Sequence, residues 1–254
     1  MTGRQAQRVL ICLFALTATL PAVAQFSYST HSTRSGAMGG VFIPNYEQRS
    51  IAVNYCQGYL LAGMADKSLQ VAWPTAQAGS VTAYYLHHGD LDYHEQQFNA
   101  GYTLRVARWL HVAVTARYLH LGTSDGHYPT QQWLGASAML HAHFDATQVT
   151  LTACSRPWDS QHRLGLHLTV AYQPSSQLLT VMEIEREDRT RIRMGMEYSY
   201  EQRWFVRAGM VTHPHLMTAT FGIGLKPDNY AIDLGVEVHS TLGITPQTSL
   251  ILWF

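Results

Sequence analysis

The 254 residues carry 17 basic and 17 acidic side chains, a balance that leaves no basic patch or stripe for nucleic acid. Hydrophobic residues make up 46% of the chain, yet past the first two dozen positions no run approaches the ~18 apolar residues of a membrane helix. Strands that meet lipid only at alternate positions are not excluded by these figures.

Residues 1–24 read as a signal peptide. Arg4 and Arg8 form its basic start, Val9 to Leu20 its short apolar core, and Ala22-Val-Ala24 its small-x-small cleavage site. Cys12 lies inside the apolar core, which argues against lipoprotein processing. The mature chain then begins at Gln25 with 254 − 24 = 230 residues, and 17 − 2 = 15 basic against 17 acidic groups give a net charge of −2. Its cysteines, Cys56 and Cys154, read as two unpaired strand cysteines, although an exported chain could oxidise them.

The segment 25–48 contains glycine and lacks periodicity. It either enters the lumen or mouth of the following domain as a plug or remains a periplasmic tail. Residues 49–254 are expected to form an all-β, antiparallel transmembrane β-barrel. Irregular strands at 49–62 and 66–74 come first. Twelve regular ones follow at 79–88, 94–106, 109–121, 131–144, 147–154, 162–172, 177–186, 190–200, 203–212, 216–225, 229–239 and 247–254. Fourteen strands is the preferred count and twelve the alternative.

The period in these segments is two. In 191–200, Ile192, Met194, Met196, Tyr198 and Tyr200 oppose Arg191, Arg193, Gly195, Glu197 and Ser199. Many segments reach the ~9–11 residues of a tilted membrane strand. Tyr and Trp gather near their ends, as interfacial girdles do. The final strand alternates Thr248, Leu250, Leu252 and Phe254 on one face, the pattern of an outer-membrane assembly signal carried by Leu250, Leu252 and Phe254.

Polar faces of the late strands hold the candidate functional residues. Centring one hairpin on Asp188 sets Glu185 opposite Arg191 and Glu183 opposite Arg193. With the apolar face toward lipid these charges point into the lumen, where Glu197, Arg203, Arg207, Asp233 and Glu237 extend the network. Thr218, Thr220, Gly222 and Gly224 leave room for arginine side chains. Charges of both signs favour a network that fills and stiffens a lumen over a selective ring. His141 with His143 could share a strand face, and His213 with His215 a turn, but no carboxylate stands at matching spacing, so no metal site and no cofactor is expected. No spacing ties Ser, His and Asp or Glu into a catalytic arrangement. The expectation is therefore no enzyme.

Three pieces resemble the PorV/PorQ-type, FadL-like outer-membrane barrels of Bacteroidota. They are Ser32 to Val41 with its Met-Gly-Gly, Gly89 to Glu95 leading to Tyr102, and Leu242 to Leu250. Where that family has an Asp-containing turn and an Asn-Pro-Ala, this chain has Ile43-Pro-Asn-Tyr-Glu47 and Val53-Asn-Tyr55. The resemblance implies an outer-membrane barrel that acts as a conduit for hydrophobic or small solutes, or as a non-transporting scaffold in a type IX-like secretion or surface-attachment assembly. Its expected partners are outer-membrane lipid, the barrel-assembly machinery and, for the scaffold, a secretion-system or surface protein.

Overall fold

The computed structural model describes residues 32–44, 48–75, 79–124, 130–158, 161–186, 190–213 and 216–254. The signal peptide at 1–24, the stretch 25–31, Asp188 and the pair Pro214-His215 lie outside the described residues. A short helix α1 (Thr33–Ala37) precedes β1 (Ser50–Gln57), β2 (Ala65–Pro74), β3 (Gly79–Gly89), β4 (Tyr93–Ala107), β5 (Leu110–Thr123), β6 (Gln131–Phe144) and β7 (Thr147–Trp158). Then follow β8 (Gln161–Tyr172), β9 (Leu178–Arg186), β10 (Thr190–Tyr200), β11 (Trp204–His213), β12 (Leu216–Leu225), β13 (Tyr230–His239) and β14 (Gly243–Trp253). Every strand pairs antiparallel with the next, and β1 pairs with β14 from Ser50↔Trp253 to Cys56↔Gln247. Closure removes both sheet edges, which is what lets strands stand in hydrocarbon. The fourteen-strand barrel is the one that forms, and the twelve-strand alternative falls away.

Alternation assigns the two faces. Met194, Met196 and Tyr198 are exposed on the outside, while Arg193 and Glu197 on the alternate positions are buried inside. On β4 the outward residues from Phe98 to Val106 are all apolar or Tyr. Those nine positions rise about 30 Å, which a tilt of ~40° brings near the 25 Å apolar belt of a membrane barrel. Trp109 stacks on Phe144 at 5.7 Å where β4 turns into β5, and Trp73 meets Phe254 at 5.7 Å by the terminal seam. Both pairs sit at the barrel end that carries the short turns at Arg108-Trp109 and Asp145-Ala146.

Three boundaries differ from the expectation by more than two residues. β1 stops at Gln57 because Tyr59 and Leu60 take positive φ values of 52° and 57° in a single 3-10 turn. β14 begins at Gly243, earlier than 247, and includes Pro246. A proline is tolerated there because pairing with β1 ends at Gln247, so no ladder on that side needs its missing N–H. β7 runs on past Cys154 to Trp158, paired among the described residues with β8 alone. Its ladder with β6 ends at Ser137↔Cys154, although β6 continues to Gln131. Beyond that point the Ser155 hydroxyl accepts the Ala136 N–H at 2.8 Å in place of a backbone carbonyl. The wall is therefore unzipped locally between β6 and β7, at the barrel end opposite the chain termini.

Candidate functional site

Residues 32–44 lie inside the barrel. The Ser32 hydroxyl caps α1 by accepting the Ser35 N–H at 3.1 Å, and Gly39 and Gly40 at φ 73° and 79° turn the chain back. Helix α1 packs against β11, β12, β13 and β14. Its seat is a lane of glycines crossing four neighbouring strands on the lumen face: Gly195, Gly209, Gly222 and Gly235. A Cβ on Gly195 would overlap the Met38 main chain, one on Gly209 would sit 2.5 Å from the Met38 carbonyl carbon, and one on Gly222 would sit 2.5 Å from Ala37 Cβ. Gly235 faces the Thr33 methyl at 3.1 Å. The lane lets backbone lie on backbone, and Met38 becomes fully buried, worth roughly 1.5–3 kcal/mol.

Polar groups then fix the segment. Thr220 Oγ1 accepts the Gly39 N–H at 2.9 Å and donates to the Ala37 carbonyl at 3.0 Å. Arg193 donates to the Gly40 carbonyl at 2.9 Å. Arg34 grips Glu197 through two bonds, Nε to Oε2 at 2.8 Å and Nη2 to Oε1 at 2.6 Å. Arg207 donates to the same Glu197 at 2.6 Å and to Asp233 Oδ1 at 2.6 Å, and Ser249 reaches Asp233 Oδ2 at 3.4 Å. Gly224 makes room for that arrangement, since a Cβ there would stand 2.7 Å from the Arg207 guanidinium.

A second chain of charges begins one hairpin earlier. The β9–β10 register sets Arg191 opposite Glu185 and Arg193 opposite Glu183. The shortest contact is diagonal, Arg193 Nη2 to Glu185 Oε2 at 2.6 Å, with Arg191 to Glu185 at 3.4 Å and Arg193 to Glu183 at 3.7 Å. Thr169 donates to Glu183 at 3.0 Å, His167 Nδ1 lies 3.5 Å from Glu183, and Cys154 Sγ lies 3.8 Å from His167 Nε2. Ligand atoms of His167, Glu183 and Glu185 fall within 4.8 Å of one another, a spacing a metal ion could use. Arg191 and Arg193 already balance both carboxylates, so the cluster's chemistry is that of a charge ladder.

Two residues of the expected network stand apart from it. Arg203 is exposed in the turn between β10 and β11 and does not line the lumen, because β11 starts one residue later at Trp204. Glu237 is on the lumen face opposite Thr220 and Thr245, half-buried, with no ion pair among the described residues. Leu250, Leu252 and Phe254 all face outward on the seam. Cys56 and Cys154 are both free. The His141 ring is buried inside against the Thr150 hydroxyl at 2.8 Å, while His143 is exposed.

Between the inner segment and the wall of β3 to β6 a cavity of about 140 Å³ remains. Phe42, Tyr84, Ala113 and Met139 supply apolar surface, Thr82, Asn99 and Thr115 small polar groups, and Arg193 with Glu183 one charged side. Ser137, which also lines it, pairs with Cys154 at the foot of the unzipped stretch, and Arg117, a further lining residue, lies opposite Gly135 beside it. Sequence reasoning missed Arg34, whose carboxylate partner is 163 positions away, and missed this small-residue wall. The signal for the glycine lane was present, as four glycines on polar strand faces.

No protein-family model matches the chain, and no curated protein matches it. Solved structures do. One described as the CymD monoaromatic hydrocarbon channel superposes with a TM-score of 0.65 at 10% identity, covering 91% of this chain and 99% of that one. The Pseudomonas putida toluene transporter TodX gives 0.59 at 11% identity, over 90% and 98%. The Acinetobacter baumannii outer membrane protein Omp33 gives 0.56 at 9%, over 82% and 98%. This chain therefore has the fold of outer-membrane barrel channels.

Proposed function

We propose that this protein sits in the outer membrane of a Gram-negative bacterium and passes small apolar solutes of about one aromatic ring, with residues 32–44 acting as a built-in restriction. The cavity beside that restriction carries the reading. Its volume is about 140 Å³, close to the roughly 150 Å³ engineered cavity that takes up benzene. Its lining pairs apolar walls with a few hydroxyls and amides, a composition typical of small-molecule sites. The structural neighbours whose descriptions name toluene and monoaromatic hydrocarbons support the same solute class. A site of this size admits little that is larger, and the plug blocks the rest of the cross-section on the β10–β13 side.

The unzipped stretch between β6 and β7 supports an exit or entrance at the side of the barrel. Ladder hydrogen bonds seal a barrel wall, so the stretch from Gln131 to Ala136 is where a solute meets least resistance. The PorV/PorQ aspect of the sequence resemblance adds the Met-Gly-Gly element, which here forms the turn of the plug at Met38, Gly39 and Gly40.

The test is uptake into proteoliposomes loaded with a hydrophobic-probe reporter, using toluene and sucrose as solutes. Toluene entry above that of protein-free vesicles, with sucrose excluded, is expected, and deleting residues 26–46 should raise single-channel conductance and admit sucrose. Equal toluene entry with and without protein, or an unchanged conductance in the deletion, overturns the reading.

A further inference from the structure

On the outer wall, away from the lumen, the strands β2 to β6 bring basic and aromatic residues together in rows. Register pairs Lys67 with His87, His87 with Gln96, Gln96 with His120 and His120 with Gln132, all on the outward face. His94 folds over Gly122 and joins them, its ring 5.9 Å from His87 and 5.8 Å from His120. The next outward row toward the membrane centre is Leu69, Tyr85, Phe98, Tyr118 and Leu134, with Tyr85 and Phe98 rings 4.7 Å apart. The row after that is Val71, Ala83, Ala100, Ala116 and Ala136. Ala83, Ala100 and Ala116 in line beside an aromatic row leave a groove of about 390 Å³, within the roughly 300–1,000 Å³ of ligand sites.

The position of the basic row names what meets it. On β4 the apolar outward residues end at Phe98 and give way to Gln96 and His94, and on β5 they end at Tyr118 and give way to His120. The imidazoles and Lys67 therefore stand at the edge of the apolar belt, at headgroup level and at the barrel end opposite the chain termini. The acids nearby are on the other face. Asp66 pairs with His88 inside the barrel, and Glu95 accepts the Tyr93 hydroxyl. No acid shares the outward face of this cluster among the described residues, so its charge complement is an anion.

We infer that this face is a binding site for a phosphorylated, acylated lipid of the outer leaflet. The phosphate sits among Lys67, His87, His94 and His120, and an acyl chain lies in the alanine groove. Imidazole N–H groups donate to phosphate whether or not the ring is charged, and Lys67 supplies a fixed positive charge. The site rests on the outer-membrane seat proposed above and is independent of what the lumen carries.

Native mass spectrometry of the delipidated full-length protein tests it with three probes: phosphatidic acid, diacylglycerol with the same chains, and inorganic phosphate. Phosphatidic acid should be retained about tenfold more tightly than diacylglycerol, and inorganic phosphate should not displace it. Replacing Lys67, His87, His94 and His120 together with Gln should erase the preference. Separately, Ala100→Leu with Ala116→Leu should weaken both lipids alike. Equal retention of the two lipids by the unmodified protein overturns the inference, as does full displacement by inorganic phosphate. Retained preference in a folded Gln variant does so too.

Discussion

The two halves of the barrel use their inner faces differently. From β8 to β14 the inner face is packed: glycines receive main chain, Thr220 bonds it, and Glu183, Glu185, Arg193, Glu197, Arg207 and Asp233 meet partners of opposite charge. From β2 to β7 the inner face is lined by small and aromatic residues that leave a cavity, the strands are longer, and one pair of them parts company. β4 has 15 residues and β9 only 9. One half holds the inner segment and the other leaves the space beside it, and the buried carboxylate–arginine pairs lie on the first.

Matched glycine substitutions should break that contrast most visibly. Gly209→Val puts side-chain atoms where the Gly39 and Met38 main chain lies, so the inner segment must leave and conductance should rise toward that of the deletion. A Cβ at Gly101 on the open half meets the Thr82 and Thr115 hydroxyls, 2.7 and 2.8 Å away, which can rotate aside, and stands 3.4 Å from the Val114 carbonyl oxygen, so Gly101→Val leaves the inner segment untouched. Its conductance should stay close to that of the unmodified protein. Comparable rises in both variants would erase the distinction between halves.

A smaller effect is expected from Arg191→Gln with Arg193→Gln. Leaving Glu183 and Glu185 buried without their arginines costs about 3–5 kcal/mol, so the temperature at which the detergent-solubilised barrel changes electrophoretic mobility should fall. Unchanged mobility and conductance together would mean that the ladder neither stiffens nor lines the lumen.

The smallest effect belongs to the open half. In the β3–β4 turn, Asp90 Oδ1 accepts the Tyr93 and Asp92 backbone N–H groups at 3.1 and 2.9 Å, and these hold its carboxyl below the usual range. A carboxylate depressed in the folded state stabilises above its unfolded pKa of ~3.9 and loses that contribution as the pH falls through the folded value. Asp90→Asn should therefore lower the mobility-shift temperature slightly at neutral pH, and the difference should vanish in strong acid. A difference that persists there would assign the turn's stability to something other than the charge.

What could be read in advance follows from the range of the interactions. Strands and the β9–β10 register were legible because period-two patterning and a hairpin centred on Asp188 are local facts. Arg203 was misplaced by parity alone, since the alternation carries it inward but the turn ends only at Trp204. Pro246 hid the start of β14, because only the short partner β1 explains why a proline fits there. The inner segment left plug and tail equally open in the sequence. Its partners, Glu197 for Arg34 and Thr220 for Gly39, lie 163 and 181 positions away, and nothing in residues 32–44 announces them.

The Glu–Arg ladder of β9 and β10 also bears on mistakes. Sliding one strand by a single residue turns every side chain to the other face. In this hairpin a slip of β10 would turn Arg191 and Arg193 toward the lipid side, at a cost that rises from about 0–1 kcal/mol near the interface to about 2–4 kcal/mol at the midplane, and would leave Glu183 and Glu185 inside without them. Misaligned pairing is therefore disfavoured within the hairpin itself. The same four residues that pair in the finished lumen would thus select the alignment of this hairpin.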